Sequence, residues 1–519
     1  MTWVILSTFV AKIHLFGRNT RIRSQSVTNE TPLCPKMLIS VLTIAIETMS
    51  DTPPPESTQQ SPKPQNPSRR SFMRTAGALA AGVVVGAALG GAAGYVFGQG
   101  SVKLPAGLKQ GTGQFTIGTS VSTQGPTAAV VSKEVDMFNS WVTMINNRGG
   151  IYAADMGGYI PVRMIVLTDN GPADPTTIRN NYNSMVSSGV DLMIGPFTAA
   201  PSEAASPVAI QNGIPYIDNQ ADEIPIFAQS GASNWVVGSL NLINYWLWNY
   251  LQLLKTTDAK TIYLIDQGDD FTQGVNGTDK YAFGGMQMAK YLGFDVIGHD
   301  TVNTTLSATY DYSAEVQTVK SADPDVLIYS DSAAFFSGLF WEACKKANYK
   351  PRAYHPIEGD QIAFQQATGV ADQSGITADI YWDPSFPYEG LWGKSFWTQL
   401  QTNAKFTDID WPWLSIGYSC LEIACKAVEV AGTTNKTSVM NALKTIEFTN
   451  LLGPWKAQNP LTNPFPPSTV LGSSTTLNTG TGMSLSRGIP VQMINGQRVV
   501  LYPSDLATGS YQYPQPTNW

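Results

Sequence analysis

From Phe115 onward the chain alternates short apolar runs with amphipathic stretches, and this rhythm restricts the fold more than any other feature. Phe115–Val121 reads as a strand. Val131, Val135, Phe138, Val142 and Ile145 then recur at spacings of 4, 3, 4 and 3, which is one face of a helix. Asn147-Arg148-Gly149-Gly150 ends that helix with the residues a helix C-terminus favours. Ile160–Leu167 is the next strand. Asp174-Pro175 opens a helix as N-cap and first-turn proline, and Gly189 closes it. Asp191–Gly195 reads as a strand, Ser202–Asn212 as a helix and Ile214–Ile217 as a strand.

A second run repeats the rhythm. Helices are expected at Leu240–Leu254, Thr272–Leu292, Tyr312–Ser321 and Ala333–Ala347, with strands at Thr261–Asp266, Asp295–Gly298 and Asp325–Tyr329. Trp411–Ala431 and Ser438–Ile446 read as helices. Pro490–Ile494 and Arg498–Tyr502 flank Asn495-Gly496, a hairpin signal. Strands alternating with helices imply parallel sheets covered on both faces, so the fold class is α/β with two doubly wound lobes. Such lobes leave a cleft where strand C-termini meet helix N-termini, the usual ligand position.

The chain before this region reads differently. Residues 1–67 form a leader ending in a Pro/Gln/Ser stretch that reads as disordered, and Met49 is a sensible alternative start. Ser68-Arg69-Arg70-Ser71-Phe72-Met73-Arg74 has a paired arginine followed by the nearly charge-free stretch Thr75 to Phe97. This resembles a twin-arginine (Tat) export signal, and it is also about the ~20 residues that span a bilayer. Residues 68–97 are therefore expected as a Tat signal or membrane anchor, and 98–113 as a Gly-rich linker.

Composition narrows the function. Charged residues make up 14 % of the 519, and the net charge is −7, so there is no basic footprint for nucleic acid. A low-charge polar surface suits an exported protein. Two histidines, His299 and His355, lie beyond the export segment, too few for a His-based triad or metal cluster. No nucleophile elbow, phosphate loop or metalloprotease motif occurs. No metal, no cofactor and no enzymatic activity are expected. Cys34 lies in the leader; the remaining Cys344, Cys420 and Cys425 cannot all pair with one another, so buried thiols are the expectation, with a disulfide as the alternative.

Several segments resemble the leucine/isoleucine/valine-binding protein family, the type I periplasmic solute-binding proteins of branched-chain amino acid ABC transporters. They are Phe115-Thr116-Ile117-Gly118 with Gly125-Pro126, Ile145-Asn146-Asn147-Arg148-Gly149-Gly150, and Asp191-Leu192-Met193-Ile194-Gly195-Pro196. Pro207-Val208-Ala209 with Gly213-Ile214-Pro215-Tyr216-Ile217, and the closing Val500-Leu501-Tyr502-Pro503, add to them. The resemblance implies a type I fold with a three-crossover hinge. On that basis lobe 1 is expected over 114–237 and 364–452, and lobe 2 over 238–363 and 453–519.

The same resemblance implies an interlobe site. Thr198 and Ala199 stand where the family binds a ligand carboxylate, with Ala199 replacing a common serine. Gln220 takes a carbonyl position, and Asp222 replaces a hydroxyl, which would repel a carboxylate and attract an amine. Glu358 is expected to pair with an ammonium, Phe271 to close over the ligand, and Gln124 and Ser332 to form polar lips of the two lobes. The expected function is an extracytoplasmic solute-binding protein of an ABC importer. It would take up an amino-acid-like, amine or amide solute, act as a monomer and deliver to a membrane permease. The alternatives are a ligand-sensing receptor domain of the same fold and, less favoured, a Tat-exported enzyme.

Overall fold

The structure, a computed structural model, describes residues 82–84, 94–98 and 104–516, apart from 126, 172–173, 279–282, 303–308, 369–373, 410, 459–478 and 481–487. The chain divides into two units, residues 1–69 and 70–519, and every described residue lies in the second.

Lobe 1 is built on strands β1 (Gly82–Val84), β2 (Gly94–Phe97), β3 (Phe115–Ser122), β4 (Val162–Asp169), β5 (Leu192–Ile194), β6 (Tyr216–Asp218) and β7 (Val236–Gly238). Their order in the sheet is β1-β2-β4-β3-β5-β6-β7. β3 to β7 are parallel, whereas β1 and β2 add antiparallel at the edge. All eight residues of β3 are buried, the continuous burial expected of a parallel strand covered on both faces. Helices α1 (Glu134–Asn147), α2 (Pro175–Ser187) and α3 (Ala199–Gln211) connect the strands. Asp174 caps α2 as anticipated, accepting from the Thr177 N–H at 3.0 Å.

Lobe 2 follows with α4 (Trp248–Leu254), β8 (Thr261–Asp266), α5 (Asp270–Asn276), α6 (Gly285–Tyr291), β9 (Asp295–Thr301), α7 (Ser313–Ala322), β10 (Val326–Ser330), α8 (Ala334–Lys346), β11 (Tyr354–Pro356) and α9 (Ile362–Thr368). Its parallel sheet has the order β9-β8-β10-β11. Next comes β12 (Thr377–Ile380), and then α10 (Lys394–Ala404), α11 (Leu414–Ala431) and α12 (Lys436–Leu443). The chain closes with β13 (Ile489–Ile494) and β14 (Gln497–Val500), joined through Asn495 (φ 52°) and Gly496 (φ 73°). Two positive φ values in a row are what a tight hairpin with this dipeptide requires.

The chain crosses between lobes after Gly238, after Ile380 and again before Ile489. α10 and α11 pack on α1, so this stretch belongs to lobe 1. β12 pairs with β13, and its Asp379 N–H donates to the Ile357 carbonyl beside lobe 2 at 3.0 Å. Gly453–Gln458 pairs with Glu447–Asn450, and Trp455 Nε1 donates to the Gly238 carbonyl of β7 at 3.3 Å. Strand partners decide lobe membership, and local sequence does not carry them.

Other departures have local causes. The expected helix Leu240–Leu254 is a 3₁₀ turn, Ile243–Tyr245, followed by α4, because the first half is the crossover itself. The expected helix Thr272–Leu292 breaks at Gly277, which adopts φ 76°. The apolar export stretch ends inside the fold. β2 runs antiparallel to β4, with Val96 and Phe97 only 2 % and 3 % exposed, and Gly98 turns at φ 77°. Apolar residues serve a buried edge strand as well as a bilayer, and here residues 94–97 serve the strand. The paired arginines and residues 85–93 lie outside the described residues. Among the described residues no helix is long and apolar enough to cross a membrane. The expected linker pairs in part: Gly111 N–H donates to Tyr159 O, and Tyr159 N–H to Lys109 O, both at 2.8 Å. Cys344, Cys420 and Cys425 are free and buried.

Candidate functional site

The lobes touch where the C-terminal ends of both sheets face each other, and aromatic rings fill that contact. Phe197 leaves β5 in lobe 1. Trp413 immediately precedes α11, also in lobe 1. Trp246 lies on the first crossover and Tyr381 on the second, while Phe271 begins α5 in lobe 2. Trp246 meets Phe271 at 5.2 Å between ring centroids, Tyr381 at 5.5 Å and Trp413 at 6.0 Å. Trp413 also meets Phe197 and Tyr381, each at 5.3 Å, and Phe271 at 6.5 Å. Most of these pairs are edge-to-face or tilted, the arrangement that aromatic quadrupoles favour. α5 also packs against α3 of lobe 1.

The crossovers are fastened beside this cluster. Trp246 Nε1 donates to Asp379 Oδ2 at 2.9 Å, and His355 Nε2 lies 3.2 Å from the same oxygen. Tyr250 stacks on His355 at 3.6 Å. Asn249 Nδ2 donates to the Gly488 carbonyl, just before β13, at 2.9 Å. Arg498 on β14 reaches three acids: Asp360 at 3.0 Å, Asp383 at 3.3 Å, and Asp408. This guanidinium is 9 % exposed and joins segments from lobe 2, the second crossover and the approach to α11.

The expected site residues separate into three groups. Phe271 lies at the contact between lobes, and Thr198 and Ala199 begin α3, next in the chain to Phe197. Thr198 is the N-cap of α3 with φ 70°, a conformation uncommon outside glycine, and makes no side-chain cap bond. Ala199 is buried.

Gln220 and Asp222 are buried within lobe 1 and engaged there. Gln220 Nε2 donates to the Trp413 carbonyl at 3.0 Å and to Glu134 Oε1 at 3.4 Å. The Asp222 N–H donates to Asp218, and Ser239 Oγ donates to Asp222 Oδ2 at 3.5 Å. Its φ of 41° turns the chain so that the Asp222 carbonyl can accept from the Ile243 N–H at 3.2 Å. Asp222 therefore contacts the root of the first crossover.

Gln124, Ser332 and Glu358 complete the set. Gln124 is exposed on the loop after β3. The Ser332 N–H donates to Gln267 Oε1 at 2.7 Å, and its hydroxyl donates to Asp269, so it orders the lip of lobe 2. Glu358 follows β11 and is 2 % exposed. Burial, reinforced by Asp331 and Asp360, pushes its carboxyl well above the usual carboxylate range. Burial likewise raises Asp331 to about 7. Asp360 rises to about 6, burial outweighing the opposing pull of Arg498.

Sequence reasoning missed Glu134, Trp246, Tyr381 and Trp413. Glu134 looks like a solvated first-turn acid, yet it is 1 % exposed and raised to about 8 by burial. Its Oε1 accepts from Asn219 at 3.3 Å, and it sits against Gly417 of α11. A cluster of Trp and Tyr at each crossover was the available signal for the other three.

Two doubly wound lobes crossed three times, with side chains meeting across the cleft, define a two-lobed ligand-binding architecture. The model of the periplasmic binding protein family matches residues 114–465, and the chain belongs to that family. Solved structures with the same fold include a putative branched-chain amino acid ABC transporter protein from Silicibacter pomeroyi. It is 14 % identical with a TM-score of 0.58, over 78 % of this chain and 99 % of that one. The substrate-binding protein LivJ from Streptococcus pneumoniae, solved with isoleucine, is 15 % identical with a TM-score of 0.54, covering 74 % and 98 %. A solute-binding protein from R. palustris, solved with 4-hydroxybenzoate, is 14 % identical with a TM-score of 0.54, covering 78 % and 98 %.

Proposed function

We propose that the chain is an extracytoplasmic solute-binding protein of an ABC importer. It takes a small amino-acid-like, amine or amide solute into the interlobe cleft and delivers it, without chemistry, to a membrane permease. The observation that carries this reading is the ring contact between Phe271 of lobe 2 and Trp413 of lobe 1, made at the mouth of the crossovers. A cleft walled on both sides closes on a solute that touches both lobes, and such a solute stabilises the closed state by its differential contacts.

Thr198 and Ala199 hold the start of α3, where backbone N–H groups face a polar head group. Phe271 covers the solute, and Gln124 and Ser332 form the rims. Glu358 is the acid that pairs with an amine: burial beside Asp331 and Asp360 holds its carboxyl neutral, and an arriving ammonium favours its charged form. Gln220 and Asp222 brace the wall from behind. The N-terminal arginine pair and apolar stretch direct export through the Tat route, and the protein acts as a monomer.

Calorimetric titration with leucine, a cationic amino acid, a short amide and an aromatic acid tests this reading. Binding of the amine or amide members is expected. Tight binding of the anionic acid alone would contradict the amine assignment.

A further inference from the structure

Resting on the solute-binding reading above, we propose that the solute carries a planar aromatic ring, which enters the cleft between Phe271 and Trp413.

Five rings from segments spread over more than 200 residues of chain converge on one point between the lobes: Phe197, Trp246, Phe271, Tyr381 and Trp413. A hinge needs no such investment of large side chains. Four of the five are at most 5 % exposed, whereas Phe271 is only partly buried. Phe271 is therefore the ring at the entrance. It stands on α5, a lobe 2 element that packs against lobe 1, so it swings away when the lobes part.

The spacing identifies where a solute fits. Phe271 and Trp413 have the widest separation of the contacting pairs, 6.5 Å. The two rings meet edge-to-face at 78°, so a flat solute ring enters between them only when lobe 2 moves out by about one ring thickness, ~3.5 Å. Trp246 then offers a third wall, held in its plane by the bond from its indole N–H to Asp379. A branched aliphatic body fills such a slot without the quadrupole contacts that a ring gains.

Trp413 adds a polar requirement. Its indole N–H is buried and has no acceptor, an unfavourable state for a donor removed from water. The Trp246 N–H is committed to Asp379, so within this pair of indoles the Trp413 donor is the one left to a solute. A carbonyl, amide or carboxyl oxygen on the ring-bearing solute satisfies it.

The test compares matched pairs on the full chain by calorimetry: leucine with phenylalanine, isobutyramide with benzamide, and isobutylamine with benzylamine. In every pair that binds, the ring-bearing member is expected to bind at least tenfold more tightly. Phe271→Leu, at a partly exposed position, is expected to reduce that ratio severalfold with little change in melting temperature. Trp413→Phe keeps a ring and removes the donor. It is expected to weaken both ring ligands through the smaller wall, and benzamide about tenfold more than benzylamine, which offers no acceptor. Equal or tighter binding of the aliphatic members would overturn the inference and leave solute binding standing. Binding by none of the six would overturn both readings.

Discussion

The lobes are joined in two places that use opposite chemistry. At the hinge, directional polar bonds fix the crossovers: Arg498 to three aspartates, Trp246 to Asp379, and Asn249 to Gly488. At the cleft, Phe271 meets Trp413 and Trp246 through ring contacts alone. A directional bond holds one geometry and is costly to break when buried. Ring contacts prefer certain geometries but bind no single donor to an acceptor, and they part and re-form at modest cost. The contrast assigns the fixed axis to the Arg498 side and the moving jaw to the Phe271 side.

The largest effect should come from breaking the fixed axis. Arg498→Met leaves Asp360, Asp383 and Asp408 without their shared cation, and breaking a buried pair costs about 3–5 kcal/mol. Chemical denaturation should show that loss. A change below about 1 kcal/mol would mean the node does not hold the hinge.

The second effect is a pH dependence of the whole fold. Burial raises Glu134 and Glu422 to about 8 and Asp331 to about 7. Their ordinary values are 4.5 for the glutamates and 3.8 for the aspartate. The folded chain thus keeps protons that the unfolded chain releases, and stability falls as pH rises from about 5 to 8. The melting temperature should be lower at pH 8 than at pH 5. Glu134→Gln, which cannot ionise, should flatten part of that slope. A melting temperature that climbs over this range would contradict the assignment.

A third prediction concerns the edge of lobe 1. Val96 and Phe97 are buried against β4, so substituting Phe97→Ala should cost about 3–5 kcal/mol, the usual cost of truncating a buried Phe. An unchanged melting temperature would show that β2 does not belong to the stable fold. The smallest effect is expected at the jaw. Phe271→Ala, at a partly exposed position, should lower stability by about 1 kcal/mol, measured by denaturation, while leaving the hinge intact.

Much of this architecture was legible in the sequence, because it rests on local patterns. The helix face from Val135 to Ile145, the Asp174-Pro175 start and the Asn495-Gly496 turn each depend on residues a few positions apart, whereas Val131, expected on the same face, lies in a separate short helix, Ala128–Val131. The family resemblance followed from such pieces taken in order. The site was less legible. Trp246 and Trp413 are 167 positions apart, and nothing in either segment states that they touch. Glu134 reads as a solvated helix-start acid until α11, nearly 300 residues later, is seen to cover it. The stretch Thr75 to Phe97 reads as an export signal or anchor, and that its last four residues also form β2 was not legible, because apolarity alone does not mark a sheet edge.

The central claim is that a solute closes the Phe271 jaw about a fixed hinge. Spin labels at Gln211→Cys on lobe 1 and Lys346→Cys on lobe 2, both exposed positions, in a Cys34→Ser background, measure it directly, because Cys344, Cys420 and Cys425 are buried. Pulsed electron resonance with and without saturating benzamide should show the distance distribution narrowing and shifting shorter on binding. A distribution unchanged by a ligand that calorimetry shows to be bound would contradict the account.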